Sequence, residues 1–186
     1  MNDITRILSA IEKGDPTATD KLLPLVYQEL RSLAAAKLAN EKPGQTIQPT
    51  VLVHEAYLRL VNADESQHWN SRGHFFKAAA ESMRRILIEN ARRKQRQRHG
   101  GGRRRIDIDA FDGGGGQRDE ELLALDEVLD RFEQRWPEKA MLVKLRYFSG
   151  MTIPEAAQVM GVSRATAERH WTFARAWMHD QLKCDD

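Results

Sequence analysis

The chain has 186 residues, 41% hydrophobic and 30% charged, with a formal net charge of only +2. That length suits one large globular domain or two small ones, and no apolar run approaches the roughly 20 residues that span a bilayer. Its one cysteine, Cys184, excludes a disulfide within the chain, and the N-terminus MNDITRILSAIEKGD mixes acids with its apolar residues, so a cytoplasmic setting without a signal peptide is expected.

Ile4, Ile7, Leu8 and Ile11 recur at helical spacing and predict a short first helix that ends near Gly14-Asp15-Pro16. Leu22, Leu23, Leu25, Val26, Leu30, Leu33 and Leu38 predict a longer one, which Pro24 should kink or start. Residues 40–50 read as a loop. Thr50 is the expected cap of a third helix, with Val53, Ala56, Tyr57, Leu60 and Val61 on one face. A polar loop holding Trp69 follows. Phe75, Phe76, Ala79, Met83, Ile86, Leu87 and Asn90 then drive a fourth helix, which runs on into ARRKQRQR.

Charge is unevenly placed beyond this point. Residues 84–105 hold ten Lys/Arg and one acid, whereas residues 106–133 hold ten acids and two arginines. A solvated helix usually interleaves signs for i,i+4 pairs, so the one-signed basic run points to phosphate contact. Residues 99–117 carry seven of the twelve glycines and no helical period, and read as a flexible linker. Within it, RRRIDIDAF leaves a short strand open. After it come the helical patterns DEELLALDEVLDRFEQRW and, opened by Pro137, PEKAMLVKLRYFSG. The expected fold class is all-α: about four helices, a glycine linker and about four more, in two small domains.

The stretch MTIPEAAQVMGVSRATAERHW predicts two helices around the corner Gly161-Val162-Ser163. Thr152 and Glu155 match a capping box, Gly161 permits a sharp reversal, and Ser163 is a good N-cap. The second helix should bury Ala167, Trp171, Ala174 and Met178 and present Arg164, Thr166, Arg169, His170 and Arg175. This is the layout of a DNA-reading helix-turn-helix, whose second helix enters the major groove. An ordinary antiparallel helix pair is the alternative.

Three blocks carry a resemblance over nearly the whole chain: TVLVHEAYLRLV, FFKAAAESMRRILIENARRKQR, and LRYFSGMTIPEAAQVMGVSRATAERHWTFARAWMHDQL. In this order they resemble the bacterial extracytoplasmic-function (ECF) sigma factors, dissociable promoter-specificity subunits of RNA polymerase. The resemblance implies residues 1–98 as a polymerase-docking and minus-ten domain, 99–118 as a linker, and 119–186 as a minus-thirty-five domain. It implies core RNA polymerase and promoter DNA as partners, leaves room for an anti-sigma protein, and implies no cofactor.

The third helix would dock on a coiled coil of the largest polymerase subunit. With Val53, Tyr57 and Leu60 turned inward, Leu52, Glu55, Leu58 and Arg59 are expected to face outward. The family's usual Gln-Glu pair is replaced here by His54-Glu55. The basic helix would hold and melt the minus-ten element, with Arg84, Arg85, Arg92, Arg93 and Lys94 on phosphates. Trp69 would receive an unstacked base, or else it folds onto the domain core. Ser163, Arg164, Thr166, Arg169, His170 and Arg175 would read the minus-thirty-five element. The acidic stretch would lie along the polymerase's RNA exit path, or simply aid solubility.

Other classes fare worse. His54, His68, His74 and Glu55 lack metal-ligand spacing, so no metal site and no enzyme activity are expected, and neither glycine run has P-loop spacing. A stand-alone helix-turn-helix regulator shares the corner but leaves the exposed leucines and the arginine helix unexplained.

Overall fold

The computed structural model describes residues 17–39, 47–61, 71–97 and 119–184, with residues 6, 7, 10, 13 and 15; the side chains at 19, 20, 23, 37, 61, 97 and 184 are outside that description. Most of the expected first helix, most of the 40–50 loop, the Trp69 loop and the glycine-rich linker also lie outside it. Among the described residues every regular element is a helix, in agreement with the all-α reading. The helices are α1 (Ala18–Leu38), α2 (Pro49–Val61), α3 (Arg72–Gln97), α4 (Asp119–Arg135), α5 (Pro137–Tyr147), α6 (Ile153–Met160) and α7 (Arg164–Cys184).

Asp15 introduces α1 by accepting hydrogen bonds from the Thr17 amide and hydroxyl, both 2.9 Å. Leu22, Val26, Leu30, Leu33 and Leu38 then form its buried stripe, while Pro24 takes the exposed side and the helix runs through it. α2 starts at Pro49, ahead of the expected Thr50 cap: the Leu52 amide already donates to the Gln48 carbonyl at 3.0 Å. Proline at the first helical position loses no hydrogen bond and has its φ preset.

Ser71 caps α3 by accepting from the His74 amide at 3.1 Å. The apolar half of α3 is buried nearly all round, from Phe75 and Phe76 through Ala80, Met83, Ile86, Leu87 and Ile88. Its place explains this. α3 packs on α2 from one side and on α4, α5 and α6 from the other, and the buried residues form one continuous apolar cluster through both halves. Arg72 ties the start of α3 to Glu29 of α1 and lies over the Phe76 ring.

In the second half, α4 buries Leu125, Val128, Leu129 and Phe132 at helical spacing. α5 opens on Pro137 and buries Ala140, Leu142, Val143 and Leu145. The expected capping box begins α6: Thr152 Oγ1 accepts from the Glu155 amide, and the Thr152 amide donates to Glu155 Oε2 at 2.7 Å. Gly161 closes α6 at φ 71°, a left-handed conformation that costs glycine nothing. Its amide donates back to Gln158 and that of Val162 to Ala157.

Candidate nucleic-acid interface

Ser163 sets the start of α7, its Oγ accepting from the Thr166 amide at 3.1 Å. One side of α7 is fixed by burial: Ala167, Trp171, Ala174 and Met178 face the core, as expected. Arg146 lies over the Trp171 ring at 4.7 Å and anchors that side to α5. On the other side Arg164 and Arg169 are exposed. Arg164 Nε bonds Glu168 at 2.7 Å, and Arg169 donates to the Thr166 hydroxyl at 3.3 Å. These are exposed local pairs, the kind a phosphate or base edge can displace at little cost.

Two expected contacts are less open. Thr166 is half-buried and shares a hydrogen bond with Ser163. His170 is half-buried as well, and its Nδ1 has no hydrogen-bond partner. Burial, then the Lys139 and Arg169 charges, holds its pKa below the usual histidine value, despite an opposing pull from Glu138. Arg175 is also half-buried and engaged within the fold.

The basic helix is not uniform. Arg85, Arg92, Arg93 and Arg96 are exposed along α3. Arg93 bonds Asn90 at 2.7 Å, Arg85 pairs with Glu81, and Lys94 is half-buried, 3.9 Å from Asp119. Arg84 overturns the expectation that it faces DNA. Its side chain is 8% exposed and reaches Asp126 at 2.6 Å and Asp130 at 2.5 Å, both on α4, with Glu81 and Glu133 just beyond. Lys144 of α5 is buried beside it, 2.7 Å from Glu133 and 2.8 Å from Glu81. Arg84 and Lys144 therefore stitch α3 to α4 and α5. Burial alone would raise the Glu81 carboxyl, but the Lys144 ammonium, helped by Arg84 and Arg85, holds it below the usual glutamate value.

The α2 face needs a second correction. Leu52 is 0% exposed, so it belongs to the core and not to an outward face. The burial stripe of α2 is wider than expected because Leu52, Ala56 and Leu60 recur at i, i+4 and i+8 beside Val53 and Tyr57. Leu58 is 41% exposed, and Val51, at 48%, was missed, as was exposed His54. Glu55 and Arg59 are half-buried in a bridge between helices: Arg59 bonds Glu55 at 2.8 Å and takes Glu89 of α3 two-pronged at 2.7 and 3.1 Å. The Glu89 bond raises the Arg59 pKa and lowers that of Glu89. Beside this bridge an open groove of about 510 Å³ is lined by Ile47, Glu55, Ile86, Glu89, Asn90, Arg93 and Arg96.

A family model described as ECF sigma factor matches residues 1–184. The chain belongs to the ECF sigma factor family. No curated protein and no solved structure matches the chain. As an ECF sigma factor it is a transcription initiation factor that directs promoter-specific transcription, with core RNA polymerase and promoter DNA as partners. No helix among the described residues is long and apolar enough to cross a membrane.

Proposed function

We propose that this sigma factor divides its work between its two halves. Residues 1–98 dock on core polymerase and open the minus-ten element, residues 99–118 link, and residues 119–186 read the minus-thirty-five element. The observation that carries this reading is the corner at Gly161-Val162-Ser163. It fixes one side of α7 in the core and leaves Arg164 and Arg169 at the exposed start of the helix, the part that meets base edges when a second helix lies in the major groove. Thr166, itself bonded to Ser163, orients Arg169, Glu168 orients Arg164, and His170 and Arg175 support the helix from its half-buried flank.

In the first half, Arg85, Arg92, Arg93 and Lys94 hold phosphates, with Arg96 beside them. Trp69, which precedes α3 in the sequence, receives an unstacked base. The face toward polymerase is Val51, His54 and Leu58, with Glu55 and Arg59 at its edge. A partner such as an anti-sigma protein would compete for these same surfaces. The test is promoter selection by reconstituted holoenzyme. Arg164→Ala and Arg169→Ala should each relax one position of the upstream motif and cost about 1–3 kcal/mol. Unchanged motif and affinity in both variants would reject the assignment.

A further inference from the structure

The exposed start of α7 carries one acid among its cations. Glu168 lies one turn beyond Arg164, and residues four apart share a helix face. Arg164 Nε donates to Glu168 Oε1 at 2.7 Å. The two terminal nitrogens of Arg164, and Glu168 Oε2, make no hydrogen bond to any described residue. The carboxylate therefore takes the inner edge of the guanidinium and leaves its two-pronged end open. One acceptor oxygen stands open beside it.

Helix stability does not account for this pair. The helix dipole favours acids near the N-terminus and cations near the C-terminus, so a pair four residues apart is best placed with the acid first. Here the arginine comes first, at the opening residue of α7, and the first turn holds no acid. The two side chains are 72% and 47% exposed, where an ion pair contributes little. Phosphate contact does not account for Glu168 either, because the DNA backbone repels a carboxylate on the entering helix.

The chemistry of base edges does account for it. Guanine presents two acceptors, N7 and O6, that match the open end of an arginine. Cytosine presents one donor, N4, that matches a carboxylate oxygen. Thymine O4 and guanine O6 would meet that oxygen acceptor to acceptor. Adenine sets an N7 acceptor beside its N6 donor, which suits a side-chain amide and not a carboxylate.

We propose that Arg164 and Glu168 act as one reading unit in the minus-thirty-five element. Arg164 takes a guanine edge, and Glu168 holds that arginine and accepts from the amino group of an adjoining cytosine. The unit rests on the assignment of α7 to that element. Glu168 also restrains its partner. A guanidinium bonded to a carboxylate is kept from swinging to a phosphate, where it would add attachment without selection. The acid thus lowers non-specific affinity and raises discrimination.

The test is selection by holoenzyme from a promoter library randomised over the upstream element alone, with the retained sequences counted. Wild type should favour a guanine and a cytosine, the cytosine by roughly 5- to 150-fold over thymine. Glu168→Ala should lose the cytosine preference and loosen the guanine. It should also bind duplex without the motif more tightly, with a salt slope steeper by about one as Arg164 reaches a phosphate. Glu168→Gln should move the preference from cytosine to adenine, because an amide pairs with adenine N6 and N7. Arg169→Ala should alter a different position. Unfolding midpoints of both Glu168 variants should stay near that of the wild type. An unchanged cytosine preference in both, while Arg169→Ala alters its own position, would overturn the reading unit and leave α7 as the reading helix. No change in any of the three variants would remove the assignment of α7, and the unit with it. Equal weakening at every upstream position, with a lowered midpoint, would make Glu168 a brace for the helix and would also overturn the proposal.

Discussion

Replacing Arg84 with glutamine should strand Asp126. That carboxylate is 8% exposed and sits 2.6 Å from the guanidinium, while Arg92, 3.6 Å away and mostly exposed, is placed too loosely to take over. Removing one partner of a buried pair costs about 3–5 kcal/mol, because the other charge stays out of water. Asp130 and Glu133 are 60% and 36% exposed, so losing their share adds little. In a chain of this size each kcal/mol moves the unfolding midpoint by about 2–4 °C, giving a fall of roughly 6–20 °C. The lower end applies if the chain escapes by undocking α4 from α3. Arg93→Gln, at an exposed position bonded to Asn90, should change stability by less than about 0.5 kcal/mol but weaken DNA binding with a shallower salt dependence. Asp126→Asn in the Arg84→Gln background should recover part of the loss. Thermal and urea unfolding followed by circular dichroism, with promoter affinity of the holoenzyme measured over a range of salt, separates the two arginines. If Arg84→Gln keeps the wild-type midpoint and weakens DNA binding as much as Arg93→Gln, Arg84 is a DNA contact and the buried assignment is wrong.

Gly161→Ala should cost about 1–2 kcal/mol in thermal unfolding through its left-handed backbone alone, because a Cβ there meets nothing within 4 Å; a loss well above that would mean a hidden collision. Leu52→Ala should destabilise the chain by about 2–5 kcal/mol as a core truncation, whereas Leu58→Ala with Val51→Ala should leave unfolding almost unchanged and weaken holoenzyme assembly; equal effects on unfolding would remove the distinction between the two faces. The Glu81 carboxyl is held below its ordinary value near 4.5, so its contribution is complete above that pH and is lost as pH falls through the lower native value. Urea midpoints between neutral and acid pH should fall more steeply in the wild type than in Glu81→Gln, and parallel curves would contradict the pairing.

The helices were legible because their signals are local. The Thr152 to Ser163 corner needs only residues within one turn of each other, and burial of Ala167, Trp171, Ala174 and Met178 follows from spacing alone. Leu52 was misplaced by a judgement of stripe width: counting Val53, Tyr57 and Leu60 gives the direction of the buried face, not its breadth, and Ala56 with Leu60 was the signal that Leu52 also lies inside. Arg84 was misplaced for another reason. Its partners are 42 and 46 residues away, and no local pattern states which cation of a basic run a distant acid will bury. The opposite charge blocks suggested two partners outside the chain, phosphate and a polymerase channel, where part of each block finds the other. Gly73 carried no sequence signal either: a Cβ on it would come within 2.5 Å of the Val159 carbonyl oxygen at the end of α6, an approach that no local pattern states.

Transcription reconstituted from core polymerase, this chain and a library of genomic fragments, with start sites mapped, tests the central claim most directly. Core alone should start without preference. Adding the chain should produce discrete starts preceded by two shared motifs at a constant spacing, and the chain without core should show no comparable selection. A chain that selects one motif by itself, and leaves the start sites of core polymerase unchanged, would be a stand-alone regulator and would contradict its role as a sigma factor.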